Sequence, residues 1–171
     1  MQVNATNQTE QTALSQKNQS MTNEQLIEKL SSAYPDAVIK QGNQYPEITV
    51  SFETMHTFMQ NIKSDSQLAF DYLVCQSGVD YPTYIQVVYH LESTTHQHFL
   101  VVKVNTGNRE TPALDTVTDI WPTAEFHERE IYDLLGIKFN NHPDLRRLFL
   151  DDTWGFPLRK DFKDDIHVVE R

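Results

Sequence analysis

The sequence is poor in cysteine, glycine and positive charge, and each shortage closes off a class of function. One cysteine, Cys75, in 171 residues rules out an intramolecular disulfide framework. It equally rules out an iron–sulfur cluster or a cysteine-rich zinc site built from this chain alone. The five glycines are scattered rather than gathered ahead of a helix, so no loop presents itself to cradle a phosphate or nucleotide. With 14 Lys and Arg against 24 Asp and Glu and a net charge of -10, the chain lacks the basic stripe of a nucleic-acid binder. No apolar run is long enough to cross a bilayer. The opening residues carry neither the basic and apolar regions of a secretory signal nor the arginines of a transit peptide. The expectation is a soluble, acidic protein in a reducing compartment that reaches a membrane only through a partner.

What is present divides into three stretches. Residues 1–21 are dominated by Gln, Asn, Thr and Ser, with Val3 and Leu14 as large apolar side chains. That composition cannot offset the entropy of ordering, so a disordered tail is expected, with Met21 as a second candidate start. Residues 22–121 carry alternating patterns. Thr22 and Gln25 have capping-box spacing ahead of Leu26, Ile27 and Leu30 on one helical face. AVIK and EITVSF read as short strands separated by the breakers of QGNQYP. Met55, Phe58, Met59 and Ile62 recur at helical spacing, the methionines as core filler. FDYLVCQ, TYIQVVYHL and HFLVVKV read as three further strands. In the second, Ile85, Val87, Tyr89 and Leu91 alternate with Gln86 and His90, the pattern of a sheet with one wet face. Cys75 inside the first reads as an inert core thiol. The order α-β-β-α-β-β-β predicts a two-layer α+β domain with helices gathered on one face of a mainly antiparallel sheet. Residues 122–171 then supply a C-terminal helix, from Pro122 in its first turn to Gly136 at its end, and an extended arm.

The helix concentrates charge. Advancing about 100° per residue, Phe126, Ile131, Leu134 and Leu135 define an apolar arc that also contains His127 and Glu130. Glu125, Glu128, Arg129, Tyr132 and Asp133 fall outside it, with Glu125 and Arg129 spaced as a solvated i,i+4 pair. A carboxylate on a packing face needs a partner, and the nearest cations are Arg146, Arg147, Arg159 and Lys160. The loop after the helix is therefore expected to fold back and set an arginine fork against Glu130 or Asp133, with His142 joining the network. Rival readings are weaker. His127 and Glu130 share a face but lack two further metal ligands at motif spacing. A glycosidase-like carboxylate pair has no sugar platform beside it. What fits is a polar lock that supports or grips a neighbour.

The run EREIYDLLGIKFNNHPDLRRLF, with GFPLRKDF downstream, resembles the 30 kDa subunit family of NADH:quinone oxidoreductase, respiratory complex I (the C subunit of bacteria, lettered J in cyanobacterial and plastid relatives). Glu128, Arg129, Glu130, Asp133, Leu134, Leu135, His142, Arg146, Leu148 and Phe149 meet its irregular spacing. The resemblance spans residues 22–163. It implies a scaffold of the peripheral arm with no cofactor and no catalytic residue of its own, in a complex that carries FMN, iron–sulfur clusters and quinone. It implies two partners: the large hydrogenase-like subunit (D), and the subunit (B) that holds the last iron–sulfur cluster before quinone. It also implies no nucleic acid, and a peripheral position on the cytoplasmic side of the bacterial inner membrane. Electron transfer from NADH to quinone and proton translocation would belong to the assembly. Glu128, Glu130, Asp133, His142, Arg146 and Arg147, together with Arg129, would fix the segment after the sheet. Arg159, Lys160 and Asp161 would lie on the arm against the large hydrogenase-like partner. Phe126-His127 stands where the family has an aromatic pair, and Phe156 where it often has histidine. The homologous scaffold of an energy-converting nickel–iron hydrogenase or formate hydrogenlyase is the alternative within the resemblance, and a free-standing metal enzyme using His127 and Glu130 the alternative outside it.

Overall fold

The computed structural model describes residues 21–163; the expected disordered tail lies, apart from Met21, outside them. Helix α1 (Asn23–Ala33) begins as the capping box predicts: Gln25 N–H donates to Thr22 Oγ1 at 3.3 Å and Thr22 N–H to Gln25 Oε1 at 3.0 Å. These reciprocal bonds satisfy two donors that a helix start leaves orphaned. Leu26 and Leu30 are fully buried, with Ile27 at the flank. Strands β1 (Val38–Gln41) and β2 (Pro46–Val50) form an antiparallel hairpin. Helix α2 (Met55–Ser64) buries Met55, Phe58, Met59 and Ile62, the four positions its periodicity selects.

Strands β3 (Tyr72–Asp80), β4 (Ile85–Ser93) and β5 (His98–Asn105) complete a sheet of order β1-β2-β5-β4-β3. Its pairings are antiparallel except β2 with β5. In β4 the apolar set lands inward, Ile85, Val87, Tyr89 and Leu91 being all 0% exposed, but the face expected to be wet is not: Gln86 and Val88 on it are buried too. The inward four share a face with Ile48, Leu100, Val102 and Val104, and the helices cover that face. On the other face Lys103 bonds Glu47 at 2.7 Å and Gln86 bonds Asn105 at 2.7 Å. Cys75 is half-buried beside Ser77 at 3.4 Å, just past a register shift in β3. The chain is thus a two-layer α+β fold.

The polar stretch 106–117 (TGNRETPALDTV), expected to be a connector, contains strand β6 (Ala113–Asp115), which pairs in parallel with β7 (Lys138–Asn140). Between them runs α3 (Ala124–Leu135). Pro122 sits in the turn just before it, its carbonyl accepting from Glu125 N–H at 3.2 Å. At Gly78 of β3, α3 comes so close that a Cβ would lie 2.3 Å from Leu135 Cδ1. Any larger residue there would force the Leu135 side chain to move. Ile131 and Leu135 join the same core as the sheet.

Candidate functional site

The site is the surround of α3, and it is built mostly of backbone. Asp133 is its hub. Its Oδ2 accepts the N–H groups of Leu148, Phe149 and Leu150 at 3.1, 2.6 and 3.0 Å. Its Oδ1 accepts from Arg147 Nη1 at 2.8 Å, and its side chain is 0% exposed. Burial opposes ionisation, but Phe149 N–H, the Arg147 guanidinium and the two other N–H groups outweigh it and hold the carboxyl below its ordinary range. One carboxylate thereby fixes three consecutive residues of an otherwise irregular chain.

The end of α3 is finished by the arm. Gly136 takes the left-handed conformation (φ 72°) and its N–H donates to Tyr132 O at 2.9 Å. The next three carbonyls would be orphans. Asp133 O accepts from Arg147 Nη1 at 3.0 Å, Leu134 O from Leu158 N–H at 3.1 Å, and Leu135 O from Arg159 Nε at 2.6 Å. Two guanidinium groups at a helix C-terminus also complement its dipole. Phe156 lies between them, its ring 5.3 Å from Arg147 and 5.1 Å from Arg159, against Gly136. The departure of this chain at Phe156 thus has a packing role of its own.

The arm returns to the sheet at Asp80. Arg109 bonds both oxygens of that carboxylate, Lys160 N–H donates to it at 2.7 Å, and Asp161 lies 3.4 Å from Arg109. The Arg109 hydrogen bond leads the groups that lower the Asp80 pKa against the cost of burial. Sequence reading missed Asp80 and Arg109. A signal existed: Asp80 has the parity of Gln76 and Gly78, so it points to the helix face and needs a cation there.

Helix α3 turns different residues inward than its periodicity predicts. Glu130 is exposed, and Phe126 of the supposed apolar arc is 59% exposed, whereas Glu128 and Asp133 are 0% and Arg129 4% exposed. A helical wheel assumes one buried face. Here the sheet covers one side, while segment 116–118 and loop 142–150 cover others, and those segments offer backbone groups that satisfy charge. Arg129 makes no pair with Glu125; its Nε and Nη2 donate to the carbonyls of Arg146 and Arg147, both at 3.2 Å. Arg147 is the arginine of the lock, and its carboxylate is Asp133, not Glu130. Arg146 is exposed and bonds Asp144 at 2.8 Å. His142 Nε2 meets Glu125 O at 3.1 Å and lies 3.9 Å from Glu128 Oε2. Glu128 Oε2 lies 2.5 Å from Thr116 Oγ1, and its Oε1 accepts from Val117 N–H at 2.9 Å. Among the described residues, no group of three or more His, Cys, Asp or Glu could hold a metal ion, and no helix is long and apolar enough to cross a membrane.

Fold and site together define an α+β module whose buried charges bind its own backbone and shape an arm. Residues 48–167 match the family described as the respiratory-chain NADH dehydrogenase 30 Kd subunit, and the chain belongs to that family. It is 38% identical over 140 residues to the NADH-quinone oxidoreductase C subunit of Moorella thermoacetica, covering 80% of this chain and 93% of the relative. It is 44% identical over 124 residues to the NADH-quinone oxidoreductase C/D subunit of Phocaeicola vulgatus, covering 71% of this chain and 24% of that longer protein. The chain therefore spans about a quarter of this relative's length. Among solved structures, it resembles a trypsin-resistant fragment (1-134) of Nqo5, with TM-score 0.62 and 29% identity over 72% of this chain and all of that one. It also resembles a chain of an archaeal membrane-bound sulfane sulfur reductase, with TM-score 0.71 and 26% identity over 82% of this chain and 85% of that one.

Proposed function

We propose that the chain is a cofactor-free scaffold in the peripheral arm of a membrane-bound NADH:quinone oxidoreductase, which couples electron transfer from NADH to quinone with proton translocation. The observation that carries this reading is the use to which the family segment is put. Arg129, Asp133 and Arg147 are consumed in holding the stretch from Arg146 to Gly155 in one shape, and Phe149 and Leu158 of the arm, with Phe126 of α3, stay about 60% exposed. Apolar side chains held outward on a rigid frame suit a permanent protein interface. The large hydrogenase-like subunit is the first partner to expect, because the letters C and D are joined in the name of the Phocaeicola relative. The neighbour that holds the last iron–sulfur cluster is the second. Residues 122–171 would form the docking unit, with Glu128, Arg129, Asp133, His142 and Arg147 shaping it from within. Glu130 and Arg146 are exposed on it, and Arg159, Lys160 and Asp161 line the arm. The host complex would sit on the cytoplasmic side of the bacterial inner membrane.

Phe149→Asp combined with Leu158→Asp tests this directly. The variant should keep the melting temperature of the native chain yet lose co-purification with the large hydrogenase-like partner from membranes. Normal assembly with full quinone reductase activity would remove these residues from the interface. The second reading, a scaffold in a hydrogenase-related complex, draws on the likeness to the archaeal reductase. The co-purifying set separates the two: NADH-binding and cluster subunits for the first, a large partner with nickel-ligating cysteines for the second.

A further inference from the structure

Glu128 ties α3 to segment 116–118, and its surroundings are unusual for a carboxylate. It is fully buried. Among the described residues no Lys or Arg nitrogen pairs with it; His142 Nε2, 3.9 Å away, is the one basic nitrogen in range. That ring is already committed. Asp144 N–H donates to its Nδ1 at 3.0 Å, so Nδ1 holds the lone pair. The hydrogen therefore sits on Nε2, where it meets Glu125 O at 3.1 Å. The imidazole is neutral in this geometry and supplies no counter-charge. Nor do the other neighbours. Tyr89 of β4 lies within electrostatic range with a buried hydroxyl that lacks a hydrogen-bond partner. Gln76 of β3 approaches closely enough to favour the anion without reaching hydrogen-bond geometry. Asp119 adds a like charge, and Arg129, next in the helix, donates to the carbonyls of Arg146 and Arg147 instead.

Thr116 Oγ1 is 2.5 Å from Glu128 Oε2 and 2.9 Å from Thr118 Oγ1, and Thr118 is half-buried. A carboxylic acid fits this chain of hydroxyls: Glu128 O–H donates to Thr116, Thr116 O–H donates to Thr118, and Glu128 Oε1 still accepts Val117 N–H. We propose that Glu128 is an internal proton-binding site: its carboxyl is held protonated in the folded chain, and losing that proton to solvent through the two threonine hydroxyls loosens the seam between α3 and segment 116–118. Burial, opposed by Thr116, Val117 and Gln76, pushes the group up to about 7, which puts the change near neutral pH. A buried carboxylate without a cation must be neutral or costly.

The sign follows from linkage. The folded chain binds this proton more tightly than the unfolded chain does, so the contribution to stability is complete below the unfolded value of 4.5. It is lost as pH rises through the folded value. His98 acts oppositely, because burial lowers its pKa, so the measurement must be a difference between variants. Glu128→Gln mimics the neutral acid: its amide oxygen can accept Val117 N–H and its NH2 can donate to Thr116. Urea unfolding of the full chain should find wild type and variant similar at pH 5. By pH 8 the wild type's unfolding constant should rise on the order of a hundredfold relative to the variant's. A wild type that keeps a constant advantage across that range, or a variant that cannot fold, overturns the proposal. The 13C shift of the Glu128 carboxyl in the wild type is the second readout: a midpoint near 7 is expected, and one near 4.5 overturns it.

Discussion

Asp133 holds the arm in place more than any other single carboxylate, because it satisfies three N–H groups and one guanidinium at once. Replacing it with alanine leaves Arg147 and three half-buried N–H donors short of partners. The cost should be about 3–5 kcal/mol, with hydrogen exchange at Leu148, Phe149 and Leu150 accelerated well before exchange in β4. Acid should mimic the substitution. The Asp133 pKa is lowered in the folded chain, so its stabilisation is complete above the unfolded value and disappears as pH falls through the folded one. Exchange at these three amides, followed from pH 6 downward, would expose any failure of that ordering. The sequence indicated that an arginine must meet an acid here, and Arg147 with Asp133 fulfils that. It could not indicate that Glu128, rather than Glu130, goes inside. Burial of these acids was decided by the N–H and hydroxyl groups of segments 116–118 and 148–150, which have no hydrophobic periodicity to read.

Among the elements, those with a single covered face were the legible ones. In α1 and α2 the apolar period alone selects the buried residues, in β4 it selects the fully buried face, and the capping box at Thr22 and the helix-ending Gly136 sit where local chemistry requires. Helix α3 was legible at its end but not around its circumference, because it is enclosed by irregular chain. The short parallel pair β6–β7 was missed for a related reason: three residues cannot display a period. Two glycines set how α3 sits. Gly78→Val would drive a side chain into Leu135 and should cost about 1–3 kcal/mol. Gly136→Val must both enter the left-handed region and meet Phe156 within 3 Å. Its melting temperature should fall further than that of Gly78→Val, whose backbone carries no left-handed strain, and equal losses would show that this strain and the Phe156 contact contribute little.

For the molecule as a whole, the decisive contacts join distant parts of the chain. Lys160 N–H reaches Asp80, and Arg109 bridges Asp80 to Asp161. Removing that bridge with Arg109→Ala should release the arm from the end of β3 while sparing the sheet. Trypsin would then cut at Arg159 and Lys160 faster than in the native chain, with residues 22–105 surviving as before; an unchanged cleavage pattern would mean that the helix-end contacts alone retain the arm. Alternation led straight to the sheet and the family segment to the lock, but the connection between them ran through Asp80, which only the parity of β3 marks as inward, and Arg109, which no spacing selects.

The way α3 ends has a consequence in time. Its Leu135 carbonyl is completed by Arg159, 24 residues further on, and its Leu134 carbonyl by Leu158. During synthesis, which runs from the N-terminus, the helix must therefore emerge with its last turn unfinished. It waits for about two dozen more residues before the register of that turn is fixed. Until then the polar end of α3 is open to whatever protein meets it first, and the arm's arrival is the event that closes it.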